Sequence, residues 1–259
     1  MAKLHDMFTQ ARRGQSGGGM GFLGKNRAET KPRAAAIIVE FPQITAGSAE
    51  AALKAGADGL LFRWDGKDSS LLSTLKQEID SAKTSNENVV CGLRISGGWN
   101  KLDRESLLHI KEQGIQYIIL PLDAPAHLLA IESKEIEKVL TVPMRAGEMY
   151  PIFIRNLTAF DGLAGTLLDF NLGNDLSEIT IEDMLHYIAV REAVRVPAFM
   201  NVEADLNEAD GYTLMTLGVQ ALILTASRDD ETTKQHISTL RELLEKIHHE
   251  EKETPSSRK

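Results

Sequence analysis

The sequence predicts an α/β fold of one kind, a closed (β/α)8 TIM barrel, and three observations lead there. The first is a repeated punctuation in which a helical stretch ends on glycine and runs straight into an apolar strand: Ala55-Gly56-Ala57-Asp58-Gly59-Leu60-Leu61-Phe62, Gln113-Gly114-Ile115-Gln116-Tyr117-Ile118-Ile119-Leu120, and Leu217-Gly218-Val219-Gln220-Ala221-Leu222-Ile223-Leu224. Glycine accepts the left-handed backbone that closes a helix, and an unbroken apolar run suits a parallel strand covered on both faces. The second is the alternation of eight such strands with helical patterns along the chain. The third is size: 259 residues, 42% of them hydrophobic, are enough for one large core. An open doubly wound sheet is the alternative that the same alternation allows.

In chain order, residues 1–33 form a flexible N-terminal arm. Leu4, Met7, Phe8 and Ala11 fall at helical spacing and lead into a Gly-rich stretch, Gly14 to Gly24, and a basic run to Arg33. The barrel spans 34–250. Its first strand reads as Ala35 to Phe41 and its first helix as Ser48 to Ala55. The second strand is Gly59 to Trp64, before a helix from Ser69 to Thr84 with Leu71, Leu72, Leu75 and Ile79 on its inner stripe. The third is Asn88 to Ile95, before a helix from Asp103. The fourth is Gln116 to Leu122, the fifth Lys138 to Met144, and a short helix follows over Met149 to Leu157. The sixth is Ala164 to Phe170. Thr180-Ile181-Glu182-Asp183 opens the next helix with acidic residues at its positive end. Strands seven and eight are Pro197 to Val202 and Gln220 to Thr225. A closing helix carries Ile237, Leu240, Leu243, Leu244 and Ile247, and 251–259 read as a disordered charged tail.

Composition excludes several classes. The formal net charge of −8 argues against nucleic acid and an anionic membrane as partners, since both need a positive face. The single cysteine, Cys91, allows no intrachain disulfide and reads as core packing. No apolar run approaches the roughly 20 residues a membrane helix needs, so the chain reads as a soluble cytoplasmic protein.

The active face of such a barrel lies at the carboxyl ends of its strands. Those ends carry Glu40, Arg63, Arg94, Asp123, Arg145, Asp169, Glu203 and the Thr225–Ser227 step. A charge closing an apolar strand needs water, a partner or a ligand. We therefore expect Arg63, Arg94, Arg145, Asp123 and Ser227 to bind an anionic metabolite, carboxylate or phosphate, and Glu40, Glu203 and Asp169 to act as acid or base. Strand alternation puts Glu40, Arg63, Arg94 and Glu203 on the inner face. Charges at strand ends also pair among themselves, and that simpler reading stands beside the functional one.

The pattern resembles the ribulose-phosphate-binding barrels, and among them the indole-3-glycerol-phosphate synthase type. The likeness is carried by Ile37-Ile38-Val39-Glu40-Phe41, similar to a strand bearing a substrate-contacting Glu, by Val202-Glu203, similar to the strand bearing a second, and by the step Gly56-Ala57-Asp58-Gly59. Arg94 stands near where the resemblance would place a catalytic lysine. The departures are as informative. The resemblance implies a glycine-rich turn after strand seven and a Gly-Ser or Gly-Thr step after strand eight to hold phosphate, but the chain has Glu203-Ala204-Asp205-Leu206 and Thr225-Ala226-Ser227-Arg228. An arginine, always protonated, does not replace a proton-transferring lysine. Synthase activity is not expected, and neither is a flavin seated through the same phosphate site; no cofactor or metal is expected. Gly19-Met20-Gly21-Phe22-Leu23-Gly24-Lys25-Asn26 approaches a P-loop spacing but has Asn26 at the hydroxyl position and no strand before it.

Two functions follow as expectations. One is a lyase or isomerase acting on a small anionic metabolite. The other is a non-catalytic barrel, a ligand sensor or assembly subunit, with the N-terminal arm joining copies into a homo-oligomer.

Overall fold

The computed structural model describes residues 4–13, 31–68, 70–131, 136–144, 147, 149–160, 162–169, 176–203 and 205–253. Strands β1 (Ala36–Phe41), β2 (Gly59–Trp64), β3 (Val90–Ile95), β4 (Tyr117–Pro121), β5 (Glu137–Pro143), β6 (Leu163–Asp169), β7 (Ala198–Val202) and β8 (Ala221–Thr225) pair in sequence order, and β8 returns to β1 to close the barrel. All the pairings are parallel. The helices are α1 (Leu4–Arg13), α2 (Ser48–Ala55), α3 (Ser70–Ser85), α4 (Arg104–Glu112), α5 (Ala126–Ala130), α6 (Tyr150–Ile154), α7 (Ile181–Val194), α8 (Glu208–Leu217) and α9 (Asp230–Glu253). The expected closed barrel is the observed one, and the doubly wound alternative falls. Residues 14–30, which hold the Gly-rich stretch and its P-loop-like spacing, and 254–259 of the tail lie outside the described residues.

Local signals read in the sequence act as anticipated. Thr180 and Asp183 form a reciprocal capping box at the start of α7, and Gly56 and Gly218 end α2 and α8 with φ of 110° and 68°. Helix α2 runs from Ser48 to Ala55 as read in the sequence, but what caps its start was not legible. Gly47 has no side chain to cap it, and Glu78 from α3 accepts instead from the amides of Gly47 at 3.1 Å and Ala49 at 3.2 Å. A carboxylate on the helix's positive end fixes the loop that follows β1.

The core has two layers. Outward-facing strand residues such as Ile37, Val39, Phe62, Leu93 and Ile118 pack under the helices; inward-facing Ile38, Leu61, Ile119, Val139, Leu167, Phe199 and Ile223 fill the barrel. Cys91 belongs to the outer layer, where burial pushes its thiol up to about 12. Inside, Tyr117 takes the room left by Gly92, its partner in register on β3. A Cβ on Gly92 would lie 2.1 Å from Tyr117 Cζ. Gly92→Ala is therefore expected to cost about 1–3 kcal/mol, as overpacked cores do. A urea unfolding curve checks this; an unchanged midpoint would show that the ring moves aside freely.

The first helix departs from the flexible arm read in the sequence. Leu4, Met7, Phe8 and Ala11 are buried in the inner layer, so α1 plugs the amino-terminal end of the barrel. Phe8 meets Phe199 of β7 edge-on at 5.6 Å, Leu4 N donates to Glu137 Oε2 of β5 at 2.9 Å, and Gly59 of β2 leaves space for Met7. Chain re-entry is fixed just beyond. Arg33 is 3% exposed; its guanidinium donates to the Gly56 carbonyl at 3.2 Å and pairs with Asp58, whose other oxygen accepts from Ile37 N at 2.8 Å.

Candidate functional site

The register sets which strand residues look into the mouth. Glu40 aligns with Leu61 and with Thr225, Arg63 with Arg94, Pro143 with Asp169, and Asn201 with Ile223. Three of the expected residues meet. Glu40 is fully buried, with Arg63 Nη2 at 2.6 Å from Oε2 and Arg94 Nε at 2.9 Å from Oε1. The second contact is an ion pair without hydrogen-bond alignment. A buried carboxylate between two guanidiniums is compensated, which is why its burial is tolerated.

The two arginines differ in what remains of them. Arg63 keeps 46% of its side chain exposed and Arg94 only 22%. Arg94 extends across the barrel, and its Nη2 donates to Asn201 Oδ1 on β7 at 3.2 Å. It is thus a strut that floors the mouth. Burial pulls its pKa down, opposed by the charges of Glu40 and Asp169, while the hydrogen bond to Glu40 raises that of Arg63. Beneath the strut lies Tyr117, fully buried, its hydroxyl without a hydrogen-bond partner among the described residues. Burial raises its pKa, so the phenol is neutral there.

The loops above β2 and β3 interlock through glycine. A Cβ on Gly66 would lie 2.1 Å from the Gly97 carbonyl, and one on Gly98 would lie 2.1 Å from the Gly66 carbonyl. Their φ values, 75° for Gly66 and 69° for Gly98, add a second reason for glycine. This close backbone approach holds the rim beside Arg63 and Arg94.

Other expected residues stand apart. Asp169, half-buried at the end of β6, faces the mouth and acts on Arg94 through charge. Glu203 is exposed just past β7, and Asp123 is exposed on the turn after β4, outside the cluster. Arg145 lies outside the described residues. Ser227 does not offer its amide to a ligand: it donates to Thr233 Oγ1 at 3.0 Å, and the Ala226 amide donates to the Glu40 carbonyl at 2.8 Å. Asp229, Asp230 and Glu231 already occupy the positive end of α9. Sequence reasoning missed Asn201 and Tyr117. Counting back two residues from Glu203 finds Asn201, but nothing in the sequence reveals the register that sets Tyr117 opposite Gly92.

A groove of about 690 Å3 lies at the opposite end, lined among others by Asp6, Gln10, Lys83, Glu87, Lys111 and Gln116. It is a cleft between loop and helix residues, whereas the mouth holds Glu40 between Arg63 and Arg94. Among the described residues there is no cluster of His, Cys, Asp and Glu arranged for a metal ion, and no helix long and apolar enough to cross a membrane.

No protein-family model and no curated protein matches the chain by sequence. Solved structures do match in fold. A mutant tryptophan synthase α-subunit from the hyperthermophile Pyrococcus furiosus superposes with a TM-score of 0.59 at 12% identity, over 82% of this chain and 99% of that one. Phosphoribosyl anthranilate isomerase of Thermus thermophilus gives 0.57 at 14%, over 80% and 99%. In fold, the chain is a (β/α)8 barrel like these. The HpcH/HpaI aldolase of Desulfitobacterium hafniense DCB-2 also matches, with a TM-score of 0.51 at 13% identity over 86% of this chain and 95% of that one. Identities this low establish the architecture and leave the chemistry to the residues.

Proposed function

We propose that the barrel mouth binds a small carboxylate-bearing metabolite and acts on it as a lyase or isomerase. The observation that carries this is the polarity of the rim. Arg63 stands open on β2, and the carboxylates Asp169 and Glu203 close β6 and β7 across the ring. A ligand carboxylate pairs with the Arg63 guanidinium, and its other end then faces a base. Glu40 is a positioning residue in this reading. Both its oxygens lie against guanidiniums that it holds in place, so the proton is moved by Asp169 or Glu203. Arg94 and Asn201 brace the floor.

Phosphate is the weaker ligand for this mouth. The amides of Ala226 and Ser227 are engaged within the chain, and the ends of β7 and α9 are acidic. Aldolase and isomerase neighbours agree with the reaction class by analogy of fold alone. The pairing of Glu40 with both arginines also suits a non-catalytic sensor, which would bind the same carboxylate and leave it unchanged.

Titration with malonate and with inorganic phosphate, followed by calorimetry, tests the site. Malonate is expected to bind more tightly than phosphate, and Arg63→Gln to weaken it by about 10- to 100-fold, the worth of a charged hydrogen bond. Equal binding of the two anions, or no effect of Arg63→Gln, would sink the reading. With a turned-over carboxylate in hand, Glu203→Gln and Asp169→Asn separate enzyme from sensor. At least one must lose kcat while still binding.

A further inference from the structure

We infer that the outer face of α6 and α7 is the contact by which two copies of this chain pair. Met149, which caps α6, and Ile152 and Phe153 on it fall at i, i+3 and i+4, and Ile181 and Leu185 at i and i+4 on α7, which packs against α6. With Phe160 beyond the intervening turn, these six apolar side chains are between 41% and 79% exposed.

Two features make a second copy the occupant. The first is area. Aromatic side chains present about 150–250 Å2 each and aliphatic ones of this size the low end of that range, so these exposures together leave roughly 600 Å2 of apolar surface. A monomer's largest patch is usually about 300–600 Å2, and a stable dimer buries about 800 Å2 per partner. The second is charge. Exposed Arg155 follows α6, while exposed Glu178 and Glu182 flank the start of α7. Across a two-fold axis the basic rim of one copy meets the acidic rim of the other, and an apolar patch is complementary to itself. A terminal arm was expected to join copies, but α1 is committed to its own barrel. The exposed wall lies elsewhere and does not depend on how the mouth is read.

Sedimentation of the full chain at micromolar concentration tests the pairing. The expected mass is twice 28.5 kDa. Ile181→Glu and Leu185→Lys should each weaken dimerisation by about 100-fold or more, as charges at a buried interface do, with an unchanged circular dichroism spectrum because both sites are exposed in the single copy. Arg155→Glu and Glu182→Arg should each weaken it, and the double exchange should restore it. A chain that sediments as a monomer up to high micromolar concentration overturns the inference. So does a dimer indifferent to both apolar variants.

Discussion

Arg33→Ala is expected to destabilise the protein by about 3–5 kcal/mol, the usual cost of stripping one partner from a buried ion pair. Arg33 is 3% exposed and holds both the Gly56 carbonyl at the end of α2 and the Asp58 carboxylate. Its loss leaves Asp58 with the Ile37 amide and the weaker influence of the Arg241 charge. Burial pushes the Asp58 carboxyl above its ordinary 3.8, and the Arg33 charge is the largest opposing influence. Without it the folded-state pKa rises further. An acid with a raised folded pKa contributes stability below its unfolded pKa and loses it as pH climbs through the folded value. The deficit of the variant is therefore largest at neutral pH and narrows toward pH 3.8. Urea unfolding of both proteins at neutral and at mildly acidic pH measures this, and a deficit that widens on acidification would refute the assignment. Arg33→Ala combined with Asp58→Asn should recover part of the loss.

Phe8→Ala carries the second large effect, about 3–5 kcal/mol for removing a buried aromatic side chain. Phe8 is 7% exposed and packs edge-on against Phe199 inside the barrel. Were α1 a loose arm, the substitution would cost almost nothing, so thermal unfolding decides between plug and arm. Proteolysis gives a second readout: in the variant, cleavage near Arg12 and Arg13 should quicken while the barrel strands stay protected.

The sequence made the fold legible because glycine caps and apolar strands act locally. Part of the site was legible for the same reason. Alternation along one strand places Glu40, Arg63 and Arg94 inward with no knowledge of neighbours, and the structure brings those three together. What stayed hidden depends on more than one strand. The contact that ties Arg94 to Asn201 across the barrel cannot be read from β3 alone. Asp123 looked like a member of the ring, but the chain turns after Pro121 and carries it out of the alternation. Phe8 has helical spacing whether α1 is free or docked. Its destination is made by β2, β5 and β7, which lie far along the chain.

That distance governs the order of assembly. The plug is made before the strands that receive it, yet Leu4 finds its acceptor 133 residues downstream, and Phe199 emerges later still. Contacts of such long sequence separation form late, because a large loop must close before they offset its entropy. The nascent chain must therefore carry an unburied amphipathic helix until at least β7 has been made. A helix made well before its docking strands is thus among the last elements to settle.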